Sequence, residues 1–236
     1  MSSRSGDWEP PRSALSRTIA PEIRDDRFSE TIRRIAATPG VHRMLEIGSS
    51  SGDGSTQAFV AGALDNPGPV ELHCIEVSRP RFEELVRRHG HHDFVHCHNV
   101  SSVRLDRFAT EGDIARFCRG FKPWLRRRGL RTQLRWLAQD VEYVRNTGGS
   151  RDGIREIKEA YGIDRFDAVL IDGSEFTGSA ILDDVYGATF LLLDDIRSFK
   201  NHDNYRRLRA DDTYEMIERT WWLRNGYAVF RRRGAL

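Results

Sequence analysis

The fold of this chain is decided by residues 41–56, which read VHRMLEIGSSSGDGST. The first half is an apolar run that ends in an acid, as in a buried strand. Gly48 and Gly52 then provide a turn of small residues, because glycine permits positive φ and a close approach of the backbone. We expect Ser55 or Thr56 to cap the next helix. The stretch therefore predicts a strand, a tight turn and a helix N-terminus, whose unpaired N–H groups can bind a polar ligand.

The spacing of the glycines excludes two common nucleotide-binding motifs. A P-loop needs a lysine directly before its Ser or Thr, but Gly54 precedes Ser55. A dinucleotide fingerprint has the form G-x-G-x-x-G, whereas the glycines here stand at positions 48, 52 and 54. What remains is the pattern acid-x-Gly-x-small-x-Gly over residues 46–52.

Length and composition indicate one globular domain. The chain has 236 residues, of which 39% are hydrophobic, enough to bury a full core. We expect residues 1–20, rich in Ser, Arg and Pro, to be a mobile tail and residues 21–236 to be the domain. Because no apolar run approaches the ~20 residues of a membrane span and no signal peptide is recognisable, we expect a cytoplasmic protein without a membrane partner. Three cysteines without a C-x-x-C pair do not favour a zinc site or disulfides.

Helical and strand patterns alternate along most of the chain. Helices are predicted over residues 28–37, 57–64, 79–89, 154–161 and 205–210. Strands are predicted before Gly48, before Asp172, and over residues 71–77, 94–97, 190–196, 214–224 and 227–232. Asn225-Gly226 signals a hairpin between the last two strands. This order predicts an α/β fold with a Rossmann-like, mostly parallel seven-stranded sheet, helices on both faces and an antiparallel final hairpin.

Residues 103–150 interrupt the alternation with Arg-rich helical sequence. Arginines at 126–128 beside Trp124 could bind an anionic partner such as nucleic acid. However, apolar residues recur every three to four positions at Leu134, Leu137, Val141 and Val144, as on a core-facing helix. We therefore expect a helical insertion that covers the site or forms a homo-oligomer contact, and we do not expect nucleic-acid binding.

Polar residues come after the second and third strands, beside the glycine-rich turn. Glu76 lies 24 positions after Gly52, close to the ~20-residue spacing at which an acid reaches a ribose hydroxyl in nucleotide-binding α/β folds. The alternative is a solvated glutamate at a strand end. Asn99 and Ser101 come after the next strand and are expected to lie beside Glu76.

Three carboxylates come directly after the strands that end near residues 171 and 193. Asp172 lies after the first of these strands, and Asp194 and Asp195 lie after the second. Parallel strands end at one edge of a sheet, so the acids should lie together and repel one another unless a cation or donors offset their charge. Oxygen ligands favour Mg²⁺ or Ca²⁺. In the alternative interpretation, Asp195 caps the segment after it and Asp172 binds a cofactor without metal.

The five histidines between residues 89 and 98 have two interpretations, a metal site or a solvated loop. His89, His91 and His92 surround a loop, so they have no fixed common face, whereas His96 and His98 share a strand face. We interpret this cluster as a solvated loop.

From about residue 41 to residue 233 the chain resembles the class I S-adenosylmethionine (SAM) dependent methyltransferases. Residues 46–52 are similar to motif I of that family, with Ser50 in place of its second glycine. Within the family, residues 166–185 and 190–195 are similar to the metal-dependent O-methyltransferases of the macrocin O-methyltransferase and cephalosporin-hydroxylase-like group. The resemblance implies that SAM is held by Glu46, Gly48, Ser49, Ser50, Gly52, Thr56, Glu76, Asn99, Ser101 and Asp172. It also implies a Mg²⁺ ion held by Asp172, Asp194 and Asp195.

The resemblance leaves three candidates for the catalytic base. Ser174 stands where the antibiotic-tailoring enzymes have an Asp that is thought to be the base, and Glu175 stands where catechol O-methyltransferase has a Lys. Candidates are therefore Glu175, Lys200 and His202, in that order. The implied activity is methyl transfer to a hydroxylated small molecule or sugar. The alternatives are a metal-free methyltransferase and a non-catalytic binding module that uses the Arg-rich insertion.

Overall fold

The computed structural model describes residues 14–20, 22–120, 123–148 and 151–235, with side chains left out at residue 14 and residues 123–128. The strands are β1 (Arg43–Ile47), β2 (Glu71–Ile75), β3 (Val95–His98), β4 (Ala168–Ile171), β5 (Phe190–Leu193), β6 (Tyr214–Thr220) and β7 (Tyr227–Arg232). The α-helices are α1 (Arg27–Ala36), α2 (Ser55–Asp65), α3 (Arg79–His89), α4 (Glu111–Cys118), α5 (Pro123–Asn146), α6 (Gly153–Tyr161), α7 (Gly178–Val185) and α8 (Phe199–Arg209). No described helix combines the length and apolar character needed to cross a membrane.

The strands form one sheet in the order β3-β2-β1-β4-β5-β7-β6. Strands β1 to β5 pair in parallel, whereas β7 runs antiparallel to both β5 and β6. The predicted α/β fold with a mostly parallel sheet and an antiparallel final hairpin is thereby confirmed. Strands β2 and β3 lie on one side of β1, whereas β4 and the strands after it lie on the other side. The strand order therefore reverses between β1 and β4, and α/β folds bind their ligands at such a switch point.

Apolar side chains cover both faces of the sheet. Leu45 and Val169 belong to the core on one face, and the neighbouring Met44 and Leu170 belong to the core on the other. Alternate residues of a strand point to opposite faces, so a strand covered on both sides needs apolar residues throughout. This burial explains why β4 and β5 read as continuous apolar runs.

The start of α2 differs from the sequence prediction. The helix begins at Ser55 with Gly54 at its N-cap, and no side chain caps it. Instead, the Thr56 hydroxyl donates to Glu46 Oε2 at 2.6 Å. Glu46 is fully buried, and a buried carboxylate without a hydrogen-bond donor is costly. The Thr56 hydroxyl therefore bonds to Glu46 and does not cap the helix. The prediction that Ser55 or Thr56 caps the helix is therefore wrong.

Two elements near the carboxyl-terminal end also differ from their predicted bounds. Helix α8 begins at Phe199, well before the predicted start at residue 205, because Ser198 caps it by accepting from the Lys200 N–H at 3.3 Å. Strand β6 ends at Thr220, so residues 221–226 form a longer turn than the predicted two-residue hairpin. Gly226 has φ +81° at the end of that turn.

Helix α3 has its predicted bounds, Arg79–His89. Its apolar residue Val86 is 41% exposed, whereas Arg81 and His89 are buried. His89 contacts the glycine-rich turn through a 2.6 Å hydrogen-bonding contact between its Nε2 and the Gly52 carbonyl oxygen. The solvated-loop interpretation is thus wrong for His89.

The insertion contains α4 and α5. Leu134 and Leu137 pack against a small core that includes Ile114 and Phe176, and Val144 is buried. The apolar face of α5 therefore packs inward, as its spacing predicts. The arginines at 126–128 lie outside the described side chains, so the expectation about nucleic acid stays a prediction.

Candidate functional site

A cavity of about 250 Å³ lies at the carboxyl edge of the sheet, at the switch point between β1 and β4. Turns after β1, β2 and β4 form its walls, together with α5 and residues of the amino-terminal segment. Of the residues predicted to bind cofactor, five line it: Gly48, Ser50, Glu76, Ser101 and Asp172. The cavity is thus placed where open α/β sheets bind their ligands.

The turn after β1 keeps a backbone conformation that favours glycine. Gly48 has φ +90°, and a Cβ there would press on the carbonyl group of Asp172, 2.7 Å from its carbon. Glycine therefore lets the β1 turn approach the end of β4 closely. Ser50 also has positive φ, at +50°, so it keeps the left-handed conformation at the position where the family has glycine. Its hydroxyl, at the cavity wall, has no hydrogen-bond partner among the described residues.

Glu76 joins the end of β2 to the glycine-rich turn. Its Oε2 accepts from the Ser50 N–H at 2.8 Å, and its Oε1 accepts from the Ser78 N–H at 2.7 Å. The residue is only 4% exposed, and burial raises the pKa of the carboxyl although the two hydrogen bonds oppose this. Glu76 is therefore a fixed acceptor in the cavity wall, not the solvated side chain of the alternative interpretation.

The other residues predicted to bind cofactor lie behind the cavity wall. Glu46 is buried and bonded to Thr56, and its Oε1 has no partner among the described residues. Ser49 is also buried. Asn99 donates through Nδ2 to the carbonyl oxygens of Glu76, at 2.8 Å, and of Val77, at 3.2 Å. These side chains hold the turns that form the wall, so a direct cofactor contact for them stays a prediction.

Gly52 faces away from the cavity. It has φ +79°, and a Cβ there would lie 2.8 Å from His89 Cδ2 and 2.9 Å from Leu85 Cδ1. Both neighbours belong to α3. The glycine therefore allows the turn to pack on α3, and a larger side chain at this position would not project into the cavity.

Asp172, Asp194 and Asp195 meet at the edge of the sheet, with one carboxylate oxygen of each within 4.8 Å of the others. Among the described residues, these three acids form the one cluster of possible ligand atoms that lie close enough together to hold a metal ion. Two cations already contact them. Lys200 Nζ lies 2.6 Å from Asp172 Oδ1 and 2.8 Å from Asp195 Oδ2, and an Arg224 N–H donates to Asp194 Oδ1 at 3.1 Å.

The charges in this cluster change its pKa values in opposite directions. Burial raises the pKa of Asp172 to about 8, against the effect of Lys200. Burial also acts to raise the pKa of Asp195, but Lys200, Asn225 and Arg224 together outweigh burial, so the pKa falls below its usual value. For Lys200 itself, burial alone would lower the pKa, yet the three carboxylates raise it well above the usual value. Lys200 is therefore a permanent cation.

The three residues predicted as candidate bases lie in different surroundings. Glu175 accepts from the Phe199 N–H at 2.9 Å and from the Ser198 hydroxyl at 3.2 Å, so it binds the amino-terminal end of α8. His202 contacts the Phe117 ring and lines a different cavity. Lys200 lines the main cavity but stays protonated. Their catalytic roles stay predictions, and this placement favours none of them.

Sequence reasoning missed Asp140, a carboxylate that α5 brings into the cavity. The Ser174 hydroxyl donates to its Oδ2 at 2.7 Å, and no described residue donates to its Oδ1. Burial raises the pKa of Asp140 to about 6; Ser174 and Arg81 oppose this increase, and Glu175 adds to it. A signal was present in the sequence: Asp140 lies three residues after Leu137 and four before Val144, on the apolar side of the helix.

The amino-terminal segment closes one side of the cavity. Leu15 and Ile19 line it. The Leu15 carbonyl oxygen accepts from the Ser78 hydroxyl at 2.6 Å, and the Arg17 carbonyl oxygen accepts from Arg81 Nε at 2.9 Å. Leu15 and Arg17 therefore pack against the domain, although they lie inside the predicted tail.

The strand order, the glycine turn after β1 and the acid after β2 together define the methyltransferase fold, as the sequence resemblance implies. An O-methyltransferase from Bacillus cereus in complex with SAH is similar over 90% of this chain and 83% of its own, with TM-score 0.55 and 13% identity. A methyltransferase from Geobacter sulfurreducens is similar over 89% of this chain and 81% of its own, with TM-score 0.52 and 13% identity. No protein-family model matches the sequence, and neither does any curated protein sequence. At such identities the likeness shows the fold alone.

Proposed function

We propose that this protein is a SAM-dependent methyltransferase that acts on a hydroxyl group of a small molecule. The observation that carries the proposal is the cavity at the switch point, where the Gly48 turn meets the buried acceptor Glu76. The similar Bacillus cereus structure holds SAH, the product left when SAM loses its methyl group. This supports SAM as the ligand of the corresponding edge here.

The residues at the cavity suit the polar parts of SAM. Glu76 offers buried carboxylate oxygens, which are acceptors for ribose hydroxyls. The unpartnered hydroxyl of Ser50 can donate or accept beside it. When bound, SAM supplies a methyl group on a positively charged sulfur. The turns behind the wall, braced by Glu46 and Asn99, keep these contacts in place.

We assign the role of general base to Asp140. Its Oδ1 can accept the proton of an acceptor hydroxyl, and Ser174 fixes the carboxylate through Oδ2. As the proton moves to Asp140, the hydroxyl oxygen bonds to the methyl carbon, and the electrons of the broken carbon–sulfur bond return to sulfur. A pKa of about 6 suits this task, because a base works best when its pKa lies near the working pH.

The predicted Mg²⁺ does not fit the cluster as the structure arranges it. Asp172, Asp194 and Asp195 have the oxygen donors that Mg²⁺ prefers. However, Lys200 and Arg224 already bind their oxygens. The metal-free alternative is therefore the version we adopt, with Asp140 as the proposed base.

Calorimetric titration with SAM tests the binding half of the proposal. Wild-type protein should bind SAM, and Glu76→Ala should bind it more weakly. Asp203→Ala is a suitable control, since Asp203 is exposed and outside the main cavity. If wild-type protein has no affinity for SAM, the proposed function fails.

A screen of hydroxylated acceptors with methyl-labelled SAM tests the catalytic half. Phenolic acids, catechols and sugars cover the proposed class. Turnover of any of them should fall in Asp140→Asn while SAM affinity is kept. A protein that binds SAM but transfers its methyl group to no hydroxyl would fit the binding-module alternative instead.

A further inference from the structure

Lys200 stands among the three carboxylates that the sequence predicts to hold a metal. Its ammonium is within hydrogen-bonding distance of two of them, 2.6 Å from Asp172 and 2.8 Å from Asp195. Only 9% of the Lys200 side chain is exposed, so water cannot replace these contacts easily. An ammonium in this position satisfies the oxygens that a divalent ion would need as ligands.

The third carboxylate has a cation of its own. Arg224 donates to Asp194 and also forms an ion pair with Asp26. Lys200 and Arg224 thus place a positive charge against each of the three carboxylates, although Arg224 is shared with Asp26. Part of the repulsion that motivated a metal is therefore already offset within the chain.

The fold holds Lys200 in this place. Asn201, fully buried, donates through Nδ2 to the carbonyl oxygens of Ile171 at 2.8 Å and Asp194 at 2.7 Å. These bonds tie the first turn of α8 to the ends of β4 and β5. Gly178 lets α7 approach, since a Cβ there would collide with the Lys200 carbonyl oxygen. Lys200 is thus a fixed part of the sheet edge.

We propose that the Lys200 ammonium is the resident cation of this acid cluster, so that the wild-type protein binds no divalent metal there. The inference deepens the metal-free version of the proposed function, and only its consequence that methyl transfer needs no metal rests on that function. Lys200 also lines the main cavity. An ammonium has three N–H donors and two are used, so the third can position an acceptor oxygen.

Binding of Mn²⁺, monitored by its electron paramagnetic resonance signal, tests this inference without cofactor or acceptor. Mn²⁺ shares the preference of Mg²⁺ for carboxylate oxygens. Wild type and Lys200→Arg, which keeps the charge, should show no site at the cluster. Lys200→Met should gain affinity of roughly tenfold or more, because a positive charge close to the carboxylates is removed. Adding Asp195→Asn to Lys200→Met should remove that gain.

Two results would overturn the inference. One is a stoichiometric Mn²⁺ site in the wild type that Asp195→Asn abolishes. The other is a folded Lys200→Met variant with no gain in Mn²⁺ affinity. If Lys200→Met does not fold, Mn²⁺ binding to the wild type, compared with Asp195→Asn, still decides whether a divalent ion occupies the cluster. SAM titration of the same samples separates failure of this inference from failure of the proposed function. A protein can bind Mn²⁺ at the cluster and still bind SAM, and it can lack both the metal site and SAM affinity.

Discussion

The close approach of the β1 turn to the end of β4 predicts that Gly48→Ala is strongly destabilising. The residue has φ +90°, where a side chain adds strain of about 1–3 kcal/mol. Its Cβ would also lie 2.7 Å and 2.9 Å from backbone atoms of Asp172 and Gly173, which cannot move without shifting β4. Such overpacking adds about 1–3 kcal/mol. The free energy of unfolding should therefore fall by about 2–6 kcal/mol, or at least about 4 °C in Tm for a chain of this size.

Two other glycines provide matched controls for the separate effects. Gly162 has φ +63° with nothing within 4 Å of its Cβ position, so Gly162→Ala measures backbone strain alone. Gly52→Ala adds contacts with the His89 and Leu85 side chains, which can rotate away. The loss of stability should increase from Gly162 to Gly52 to Gly48.

Urea unfolding of the three alanine variants, monitored by tryptophan fluorescence, gives the free energies, and calorimetry gives SAM affinity. Gly48→Ala should also weaken SAM binding, because the displaced backbone carries Asp172 into the cavity wall. Gly52→Ala should alter affinity less, since its neighbours lie on α3. If Gly48→Ala unfolds within about 0.5 kcal/mol of the wild type, or no more easily than Gly162→Ala, the close approach is not what the structure indicates.

Buried titratable groups support three further predictions. Glu76→Gln should weaken SAM binding, measured by calorimetry, and should lower the free energy of unfolding by about 1–3 kcal/mol, measured with urea. The reason is that both Glu76 oxygens accept from backbone N–H groups, so one of these N–H groups would face the amide NH₂ of glutamine. Asp140→Asn should reduce turnover about 10²–10⁴-fold at unchanged SAM affinity. Because the folded-state pKa of Asp140 is raised to about 6, wild-type stability should fall as pH rises toward 6, and urea unfolding of the Asn variant should lack this loss. Burial, with His98, His96 and Arg43 nearby acting in the same direction, lowers the pKa of His73 to about 3. The stabilisation from neutral His73 is therefore present above about pH 6.5 and is lost as the pH falls toward 3. His73→Phe should flatten that pH dependence in urea unfolding, and an unchanged acid transition would contradict the reasoning.

Much of the fold could be predicted from sequence because its determinants are local. The apolar run before Gly48 predicted a buried strand, and the alternation of strands and helices predicted the parallel sheet. Since parallel strands end at one edge, Glu76 and Asp172 could also be placed near the same cavity without coordinates. The ends of the elements could not be predicted as well. Helix α8, for example, begins at Phe199 because Ser198 caps it, although its first residues show no clear apolar periodicity.

What each side chain does at that edge was decided by tertiary packing. The spacing that placed Asp194 and Asp195 together could not show that Lys200 would turn back between Asp195 and Asp172. Glu175 binds the start of α8, and Asp140 meets Ser174 across 34 positions of sequence. Periodicity specifies which face of a helix is apolar, but not which polar group that face brings to a distant strand end. The carboxylates were therefore evident from the sequence, whereas their cation and the proposed base depend on how α8 and α5 pack against the sheet.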